Sequence, residues 1–378
     1  MIRFVFLIIG SLSLLSLICC EDNNVQSIDQ EAEKVIIGYV PGFRGELDVS
    51  AIDPMKLTHI NYAFVDVKDS MAWLTNLATD TANFRKLNQL KKVNPDLKIL
   101  ISIGGWSWSE NFSDAVLTPS SRKKFARSSV DIIHTHNLDG VDIDWEYPGL
   151  KGEDNVFRLE DKQNFTHMFV AIRAVLDSLT NETGKNYLLT SAVAGFKAFL
   201  DNTEMAEAAK PQDFINVMCY DYFTGGPKVG HHSNLYPREN YDDDRSAKKD
   251  LDMFIAAGVP PGKLVLGLPF YGRSWILPNA ENHGIHQIRD SVVRAGGYTF
   301  IKDSLINRNG FVRYWDENAQ APYLFNEERN QLIVYDDEGS VKIKCHYVLE
   351  HDLAGVMFWQ YMSDPKEYLL DAINASLK

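Results

Sequence analysis

Residues 139–148 read Asp139-Gly140-Val141-Asp142-Ile143-Asp144-Trp145-Glu146-Tyr147-Pro148, an apolar stretch that carries four carboxylates. The alternation of acidic and apolar residues predicts a β-strand, in which successive side chains point to opposite faces. Asp142, Asp144 and Glu146 would then project from one face, with neighbours about 7 Å apart, which is two rises of ~3.3 Å. The strand would carry a row of three acids on one side and apolar side chains on the other.

Three carboxylates this close cannot ionise independently, because each negative charge raises the pKa of the next. Such a row costs stability, and it keeps one carboxylic acid protonated near neutral pH. A solvated acidic strand edge and a metal site are the alternative interpretations of these residues. The interleaved apolar residues, Trp145 and the closing Tyr147-Pro148 favour the catalytic end of a strand.

Short β-branched runs alternate with longer helical patterns from residue 34 onwards. Several runs are apolar on both faces, which is typical of parallel strands covered by helices. The predicted strands are Val35–Val40, His59–Phe64, Lys98–Ile103, Gly140–Trp145, Tyr187–Ala194, Phe214–Tyr220, Leu264–Phe270 and Gly355–Gln360. The helical patterns include Thr81–Val93, Ser120–His136, Asp161–Leu179 and Asp244–Ala257. Eight such units predict an α/β fold, a (β/α)8 TIM barrel over residues 34–378. An open doubly wound sheet would need a phosphate-binding glycine loop after the first strand, and the sequence has none there.

The connection between the seventh and eighth strands is too long for a simple barrel unit. It has about 80 residues, where ~30 per unit suffice. Short aromatic segments separated by turn residues lie within it, among them Gly310–Trp315 and Gln331–Tyr335. We therefore predict a small α+β insertion over residues 276–341, beside the mouth of the barrel. Loops of this length in a compact domain usually serve a function.

Composition narrows the class of partner. The 378 residues are 45% hydrophobic and 24% charged, with a formal net charge of −13 and no marked cluster of Lys and Arg. This argues against nucleic acid and against anionic membrane surfaces as partners. It is compatible with a neutral polymer such as a polysaccharide, and we expect a monomer.

The N-terminus resembles an export signal. Arg3 supplies the positive end of an apolar run, Phe4–Ile18, which is short for a membrane span and suits a signal-peptide core. Cys19-Cys20 follows, as in bacterial lipoprotein signals, so residues 1–20 are predicted to be a signal peptide with Cys20, or else Cys19, as the lipidated residue. Residues 21–33 are predicted to be a disordered tether. The protein would be exported, and either lipid-anchored to the cell envelope or freely secreted.

Two cysteines lie beyond the tether, Cys219 and Cys345, so the chain is no disulfide scaffold. Cys219 lies in an apolar strand and is predicted to be a buried free thiol, with a bridge to Cys345 as the alternative.

Aromatic residues lie at or just after the C-terminal ends of several predicted strands, where a TIM barrel places its chemistry. They include Trp106, Tyr220, Tyr271 and Trp359. Flat rings stack on sugar faces, and their polar tips form hydrogen bonds with hydroxyls. Acids ringed by Trp and Tyr therefore indicate a carbohydrate site.

On these residues the chain resembles the chitinases of glycoside hydrolase family 18, in the subgroup that has a chitin-insertion domain. The resemblance covers residues 35–377 and is carried by specific motifs. These are Asp-Gly-x-Asp-x-Asp-x-Glu at 139–146, Ser-x-Gly-Gly at 102–105, Met-x-Tyr-Asp at 218–221, and the segments 267–275 and 355–359. Val40-Pro41-Gly42-Phe43 departs from the family pattern, so one end of the cleft is expected to be less aromatic.

The resemblance implies hydrolysis of β-1,4 links between N-acetylglucosamine units of chitin. Glu146 would be the general acid and base, Asp144 would orient the acetamido group of the substrate, and Asp142 would share a proton with Asp144. Tyr220 would form a hydrogen bond with the acetamido carbonyl. Asp221 would support the sugar before the cut and Trp359 would form its floor. The other implied substrate contacts are Tyr39, Phe64, Gly105, Trp106, Tyr147, Met218, Tyr271 and Arg273.

The placement of the acids fits a substrate-assisted mechanism independently. A retaining enzyme with its own nucleophile needs two carboxyls on opposite faces of the sugar, ~5 Å apart. Here the acids lie on one side of one strand. No metal and no cofactor is expected, since His231-His232 lacks ligand spacing. Two other functions stay open: an endo-β-N-acetylglucosaminidase that trims glycoprotein glycans, and a non-catalytic chitin-binding lectin, although such lectins lose the acid at the position of Glu146.

Overall fold

The structure is a computed structural model that describes Met1, residues 33–238 and residues 245–378. Residues 34–378 form one structural unit. The predicted signal peptide, with Cys19 and Cys20, and the predicted tether lie outside the described residues except for Met1 and Glu33, so both stay predictions. In the described ranges no helix is long and apolar enough to cross a membrane.

Eight parallel strands close into a barrel. In chain order the strands of the protein are β1 (Val35–Pro41), β2 (His59–Lys68), β3 (Met71–Trp73), β4 (Lys98–Gly104), β5 (Gly140–Asp144), β6 (Leu188–Ala194), β7 (Phe214–Met218), β8 (Leu264–Pro269), β9 (Tyr271–Ile276), β10 (Ser291–Gly297), β11 (Val312–Asp316), β12 (Ala321–Asn326), β13 (Gln331–Val334) and β14 (Gly355–Trp359). The barrel order is β1-β14-β8-β7-β6-β5-β4-β2, and β1 also pairs with β2, which closes the ring. The short β3 adds an antiparallel edge to β2. The predicted (β/α)8 barrel is confirmed, and each predicted barrel strand is present.

Helices surround the barrel between successive strands. They are α1 (Leu77–Leu90), α2 (Phe112–Ala115), α3 (Pro119–Thr135), α4 (Asp161–Thr183), α5 (Lys197–Asp201), α6 (Met205–Ala208), α7 (Ala247–Ala256), α8 (Tyr298–Phe300), α9 (Glu338–Glu350) and α10 (Tyr368–Leu377). The start of α3 follows from its sequence: Pro119 occupies the first turn, and Thr118 and Ser121 form a reciprocal capping box. Gly184 ends α4 with φ 72°, a conformation that glycine adopts without steric cost.

The long connection after β8 folds into a second, antiparallel sheet. Its strand order is β10-β9-β13-β12-β11. The sheet begins at Tyr271, earlier than the predicted start of the insertion at residue 276, because β9 follows β8 almost at once and carries Arg273 into the new sheet. The sheet ends at Val334, and α9, which begins at Glu338, packs on the barrel against β8 and β14.

The largest apolar core fills the layer between barrel strands and helices, and it includes Phe125, Ile143, Trp145 and Phe169. A second, smaller cluster is formed by residues of the barrel strands themselves, and it includes Tyr39 on β1 and Met357 on β14. Cys219 and Cys345 are both buried and free, which confirms the prediction of a free thiol at Cys219 and leaves no bridge between the two.

Candidate active site

The carboxyl ends of the barrel strands and one edge of the antiparallel sheet enclose a cleft of about 1,330 Å³. Eleven of the fourteen site residues predicted from the sequence line it, although they come from five barrel strands and the inserted sheet. They are Phe64, Trp106, Asp144, Glu146, Tyr147, Met218, Tyr220, Asp221, Tyr271, Arg273 and Trp359. The other three, Tyr39, Gly105 and Asp142, lie beneath the lining.

Asp142 is fully buried and forms four hydrogen bonds with side chains of four different strands. Its Oδ2 accepts from the Tyr39 hydroxyl at 2.8 Å and the Ser102 hydroxyl at 2.7 Å. Its Oδ1 accepts from the Thr190 hydroxyl at 2.6 Å and from Asn216 Nδ2 at 3.2 Å. Burial raises the pKa of Asp142, and these hydrogen bonds oppose the increase. The network fixes this carboxyl in one orientation at the base of the acidic row.

Asp144 differs from Asp142 in its surroundings. Its Oδ1 is buried and has no hydrogen-bond partner among the described residues. Burial raises the pKa of Asp144 well above its usual range, and the negative charges of Glu146 and Asp142 raise it further. A carboxyl held in this way binds a proton readily, or forms a hydrogen bond with a donor that a ligand brings into the cleft.

Glu146 is half-buried and lines the cleft just beyond the end of β5. Its backbone N–H donates to the Ser109 hydroxyl at 2.9 Å, which ties the turn after the strand to the loop after β4. Burial raises the pKa of Glu146 to about 7, and the charge of Asp221 acts in the same direction. A carboxyl with a pKa near 7 suits a group that first donates and later accepts a proton at neutral pH.

Asp221 is held as a carboxylate on the opposite wall. The Arg273 guanidinium donates to both of its oxygens, from Nε at 2.7 Å and from a terminal nitrogen at 2.5 Å. The His232 ring approaches the same carboxylate, with Nδ1 3.4 Å from Oδ1. Burial would raise the pKa of Asp221, but the hydrogen bonds from His232 and Arg273 and the charge of Arg273 lower it well below the usual range. The carboxylate is thus neutralised by its own ion pair.

Aromatic rings form one continuous surface in the cleft. Trp359 and Phe64 stack with centroids 5.4 Å apart and planes 15° apart, and Phe43 lies nearly parallel to Phe64 at 6.1 Å. Phe43, which is 46% exposed, is the ring that the segment 40–43 contributes to this surface. Trp106, 48% exposed, meets Tyr147 edge-on at 6.2 Å on another part of the wall.

Two residues predicted to touch substrate have supporting positions instead. Tyr39 projects into the barrel from β1, so it is only 2% exposed. Its hydroxyl donates to Asp142 and is not free for a substrate. Gly105 is buried with φ 82°, and its N–H donates to the carbonyl of Asp144 at 2.7 Å. A Cβ on Gly105 would lie 2.5 Å from the Phe64 ring, so only glycine fits between the acidic strand and the aromatic surface.

Several site residues were missed from the sequence. Ser102 and Thr190 lie directly opposite Asp142 on the two neighbouring strands, and Asn216 comes from the strand after. Their signal was a polar residue at an inward position of an otherwise apolar strand. Phe43, Trp108 and Arg245 also line the cleft. Phe43 and Trp108 lie in 3₁₀-helices of three residues and Arg245 in a loop, and such short segments have no periodicity that gives an orientation.

The histidines and acids of the described ranges form no group of three or more that could hold a metal ion. His231 and His232 point to different carboxylates, Asp316 and Asp221. The arrangement as a whole offers one proton donor, a buried carboxyl beside it, hydroxyl and aromatic groups around a cleft of about 1,330 Å³, and one carboxylate occupied by arginine.

Comparison with known proteins gives a consistent assignment. Residues 35–364 match the family model of Glycosyl hydrolases family 18. The chain is 36% identical to Chitinase A1 of Niallia circulans over 90% of its own length and 58% of that protein. It is 31% identical to Chitinase B of Serratia marcescens, over 84% of this chain and 75% of the relative.

A solved structure with the same architecture is described as a glycoside hydrolase family 18 N-acetylglucosaminidase from Paenibacillus barengoltzii. It superimposes with a TM-score of 0.85 at 39% identity, covering 91% of this chain and 99% of that one. The present chain thus spans somewhat more than half of Chitinase A1 and nearly all of the solved neighbour.

Proposed function

The chain belongs to family 18 of the glycosyl hydrolases, and from this premise we propose that it hydrolyses β-1,4 links between N-acetylglucosamine units in chitin and its oligosaccharides. The observation that carries the proposal is the row of Asp142, Asp144 and Glu146, whose last member lines the cleft with a pKa of about 7. The names of the similar proteins, two chitinases and an N-acetylglucosaminidase, support the same substrate class.

The first chemical step would use the substrate as its own nucleophile. Glu146 donates its proton to the glycosidic oxygen as the bond to the anomeric carbon breaks, and the acetamido oxygen of the same sugar attacks that carbon. The product is an oxazolinium ion on the sugar. Most retaining glycosidases use a carboxylate of the enzyme as the nucleophile, and family 18 is an exception in which the substrate supplies it. Substrate assistance suits this cleft because, of the other two lining acids, Asp144 lies on the same side of the strand end as Glu146 and Asp221 is occupied by Arg273.

Asp144 and Asp142 would stabilise that ion. The acetamido N–H becomes more acidic as positive charge develops, and the unpartnered Oδ1 of Asp144 is an acceptor available for it. Asp142 lies deeper on the same strand face and would share a proton with Asp144. Its four fixed hydrogen bonds then hold the pair in place.

In the second step Glu146, now a carboxylate, takes a proton from water. The hydroxide oxygen attacks the anomeric carbon from the side that the leaving group vacated, and the oxazoline ring opens back to the acetamide. Two displacements at one carbon give net retention of the β configuration. Glu146 ends the cycle protonated.

The surrounding residues would bind and orient the sugars. Burial raises the pKa of Tyr220 well above its usual range, so its hydroxyl stays protonated and can donate to the acetamido carbonyl. Asp221 would contact the sugar before the cut, and the Trp359 surface would support it from below. Phe64, Trp106, Tyr147, Met218, Tyr271 and Arg273 are the remaining proposed contacts. The antiparallel sheet would act as a chitin-insertion domain, because its β9 and β10 form one wall of the cleft.

Export and lipid anchoring belong to the same proposal. Arg3, the apolar run Phe4–Ile18 and Cys20 support a signal peptide of lipoprotein type. Expression with a labelled fatty acid tests it: label on the wild type and none on Cys20→Ser would support an anchor. Label retained on Cys20→Ser and lost on Cys19→Ser would move the site, and an unlabelled secreted protein would remove the anchor.

A product time course tests the activity. Residues 34–378 and their Glu146→Gln variant are given N-acetylglucosamine hexamer and, separately, a high-mannose glycoprotein. We expect the wild type to cut the hexamer, Glu146→Gln to lose about 10²–10⁴-fold in rate while it still binds the hexamer, and the exposed control Glu160→Gln to keep wild-type rates. Release of the glycan with an intact hexamer would indicate a glycoprotein endoglycosidase, and binding without turnover would indicate a lectin.

A further inference from the structure

Arginines line the cleft to an extent that the composition of the chain does not predict. The formal net charge of the whole chain is −13. The cleft is nevertheless lined by five arginines, Arg44, Arg245, Arg273, Arg289 and Arg294. It is lined by three carboxylic acids, Asp144, Glu146 and Asp221, and among the described residues by no lysine.

The local charge of the cleft is therefore positive at neutral pH. Arg273 is compensated by Asp221. Asp144 and Glu146 both have raised pKa values, so this pair does not carry two full negative charges near pH 7. Arg245 lies 4.0 Å from the carboxylate of the buried Asp250. Arg44, Arg289 and Arg294 remain, so at least one guanidinium charge exceeds the carboxylate charges along the lining. Hydrolysis of a neutral polymer does not require such an excess.

Arg294 occupies the most informative position. It lies on β10 directly opposite Arg273 on β9, and directly opposite side chains of an antiparallel pair share one face at a Cα separation of roughly 4.5–5.5 Å. Two like charges in this position cost free energy of folding, and the ion pair of Arg273 with Asp221 reduces that cost. Arg294 is exposed, and neither Arg294 nor Arg289 forms an ion pair with a carboxylate in the part of the chain that the structure describes. Neither charge therefore contributes an ion pair to the folded structure within the described residues.

We infer that the wall formed by β10 and the residues just before it, defined by Arg294 on β10 and Arg289 before it, binds carboxylates of the substrate, so that the enzyme accepts N-acetylglucosamine polymers whose other sugars bear a carboxylate. This inference rests on the proposed function and names a further substrate class for the same cleft. Guanidinium groups bind carboxylates with two parallel hydrogen bonds, which an exposed arginine without a protein partner can offer. A cationic, deacetylated glucosamine chain would be repelled by the same wall.

The carboxylate can come from two sources, a lactyl ether on the neighbouring sugar or a uronic acid. The test measures binding in the Glu146→Gln background, so that no ligand is consumed. Its four ligands are a peptide-free tetrasaccharide of alternating N-acetylglucosamine and N-acetylmuramic acid, a hexasaccharide of alternating N-acetylglucosamine and glucuronic acid, N-acetylglucosamine hexamer, and glucosamine hexamer. Each is titrated at 50 and 500 mM NaCl.

We expect Arg294→Gln to lower the affinity for a carboxylate-bearing ligand, relative to the neutral hexamer, about fivefold at low salt, the upper range of one exposed ion pair. The relative affinity for glucosamine hexamer should rise. Arg289→Gln should act in the same direction, Arg294→Lys should retain most of the ratio, and 500 mM NaCl should reduce every difference. Arg127→Gln, an exposed arginine on α3 away from the cleft, is the matched control and should leave the ratios unchanged.

A response of the lactyl ligand alone would assign the site to muramic acid chains, and a response of the uronic acid ligand alone would assign it to uronate chains. Unchanged ratios for both ligands in Arg289→Gln and Arg294→Gln would overturn the inference. These results are independent of turnover, whereas failure of the wild type to cut N-acetylglucosamine hexamer would overturn the proposed function by itself.

Discussion

Asp142 and Asp144 lie two residues apart on the same face of β5, yet Asp142 accepts four hydrogen bonds while Oδ1 of Asp144 has no partner among the described residues. One carboxyl is fixed by the barrel and the next is left for a ligand. This division explains how three acids can follow one another on β5 and just beyond it: the deepest is satisfied by its neighbours, and the other two face the cleft with raised pKa values.

Replacing Asp142 with Asn should affect both stability and rate. The amide presents a donor where the carboxylate accepts, so at least one of the four hydrogen bonds must be lost or reversed inside a fully buried site. We expect the free energy of unfolding to fall by about 1–3 kcal/mol and kcat to fall at least tenfold, because Asp144 loses the partner that shares its proton. Urea denaturation and hexamer hydrolysis measure the two effects. Asp131→Asn, exposed on α3, should change the free energy of unfolding by less than about 0.5 kcal/mol.

The basic limb of the pH–rate profile should report Glu146. The acid must be protonated to donate, so kcat/KM should fall as pH rises through about 7, the pKa of Glu146. The charge of Asp221 raises that pKa, so Asp221→Asn should move the limb to lower pH, and the unpaired Arg273 guanidinium should move it in the same direction. Whatever the loss in absolute rate, a limb that stays in place or moves to higher pH would contradict the assignment.

Trp359 should contribute mainly to binding. It stacks with Phe64 and offers the remaining surface to a sugar ring. Trp359→Ala should raise KM for the hexamer by at least tenfold, as expected when about 1.4 kcal/mol or more of apolar and stacking contact is removed. Trp73→Ala is the comparison, since Trp73 is 45% exposed on β3 outside the cleft. Equal KM values in the two variants would exclude Trp359 as the sugar platform.

A buried ion pair near the end of the inserted sheet should make a large contribution to the free energy of unfolding. Lys344 on α9 donates to both oxygens of Asp336 at 2.8 and 2.6 Å, and both side chains are fully buried. Lys344→Met leaves an uncompensated buried carboxylate, so the free energy of unfolding should fall by about 3–5 kcal/mol. The double variant Lys344→Met/Asp336→Leu should recover part of that loss in denaturant titrations.

The control for this pair is Lys248→Met, which breaks an exposed pair with Asp252 on α7 and should cost less than about 0.5 kcal/mol. If both single variants were equally stable, the buried pair would contribute no more than a surface one.

The sequence predicts the barrel well because parallel strands covered on both faces require long apolar runs, and each of those runs became a strand. It predicts that Asp144 and Glu146 face the cleft, because the alternation of a strand gives the orientation of a side chain as well as its position. It does not give the depth of a side chain in the barrel: Tyr39 looked like a cleft residue and lies beneath Asp142. Residues in three-residue helical turns and loops, such as Phe43 and Arg245, belong to no periodic pattern from which the direction of a side chain could be derived.

The inserted sheet also starts earlier than the predicted residue 276, for a related reason. Only Phe270 separates β8 from Tyr271–Ile276, so no run of turn residues marks the boundary between the barrel strand and the first strand of the new sheet. Likewise, no local pattern predicts that the Glu146–Tyr147 and Trp359–Gln360 peptide bonds are cis.

The most direct test of the account follows the anomeric configuration of the first product. Proton NMR of N-acetylglucosamine hexamer hydrolysis by the wild type should show the β-anomer first, with the α-anomer appearing only by later mutarotation. Mass spectra of the intact protein during turnover should show no added sugar, because the intermediate is an oxazolinium ion of the substrate. An α-anomer formed first, or a sugar bound covalently to the protein, would contradict substrate-assisted catalysis by Glu146 and Asp144.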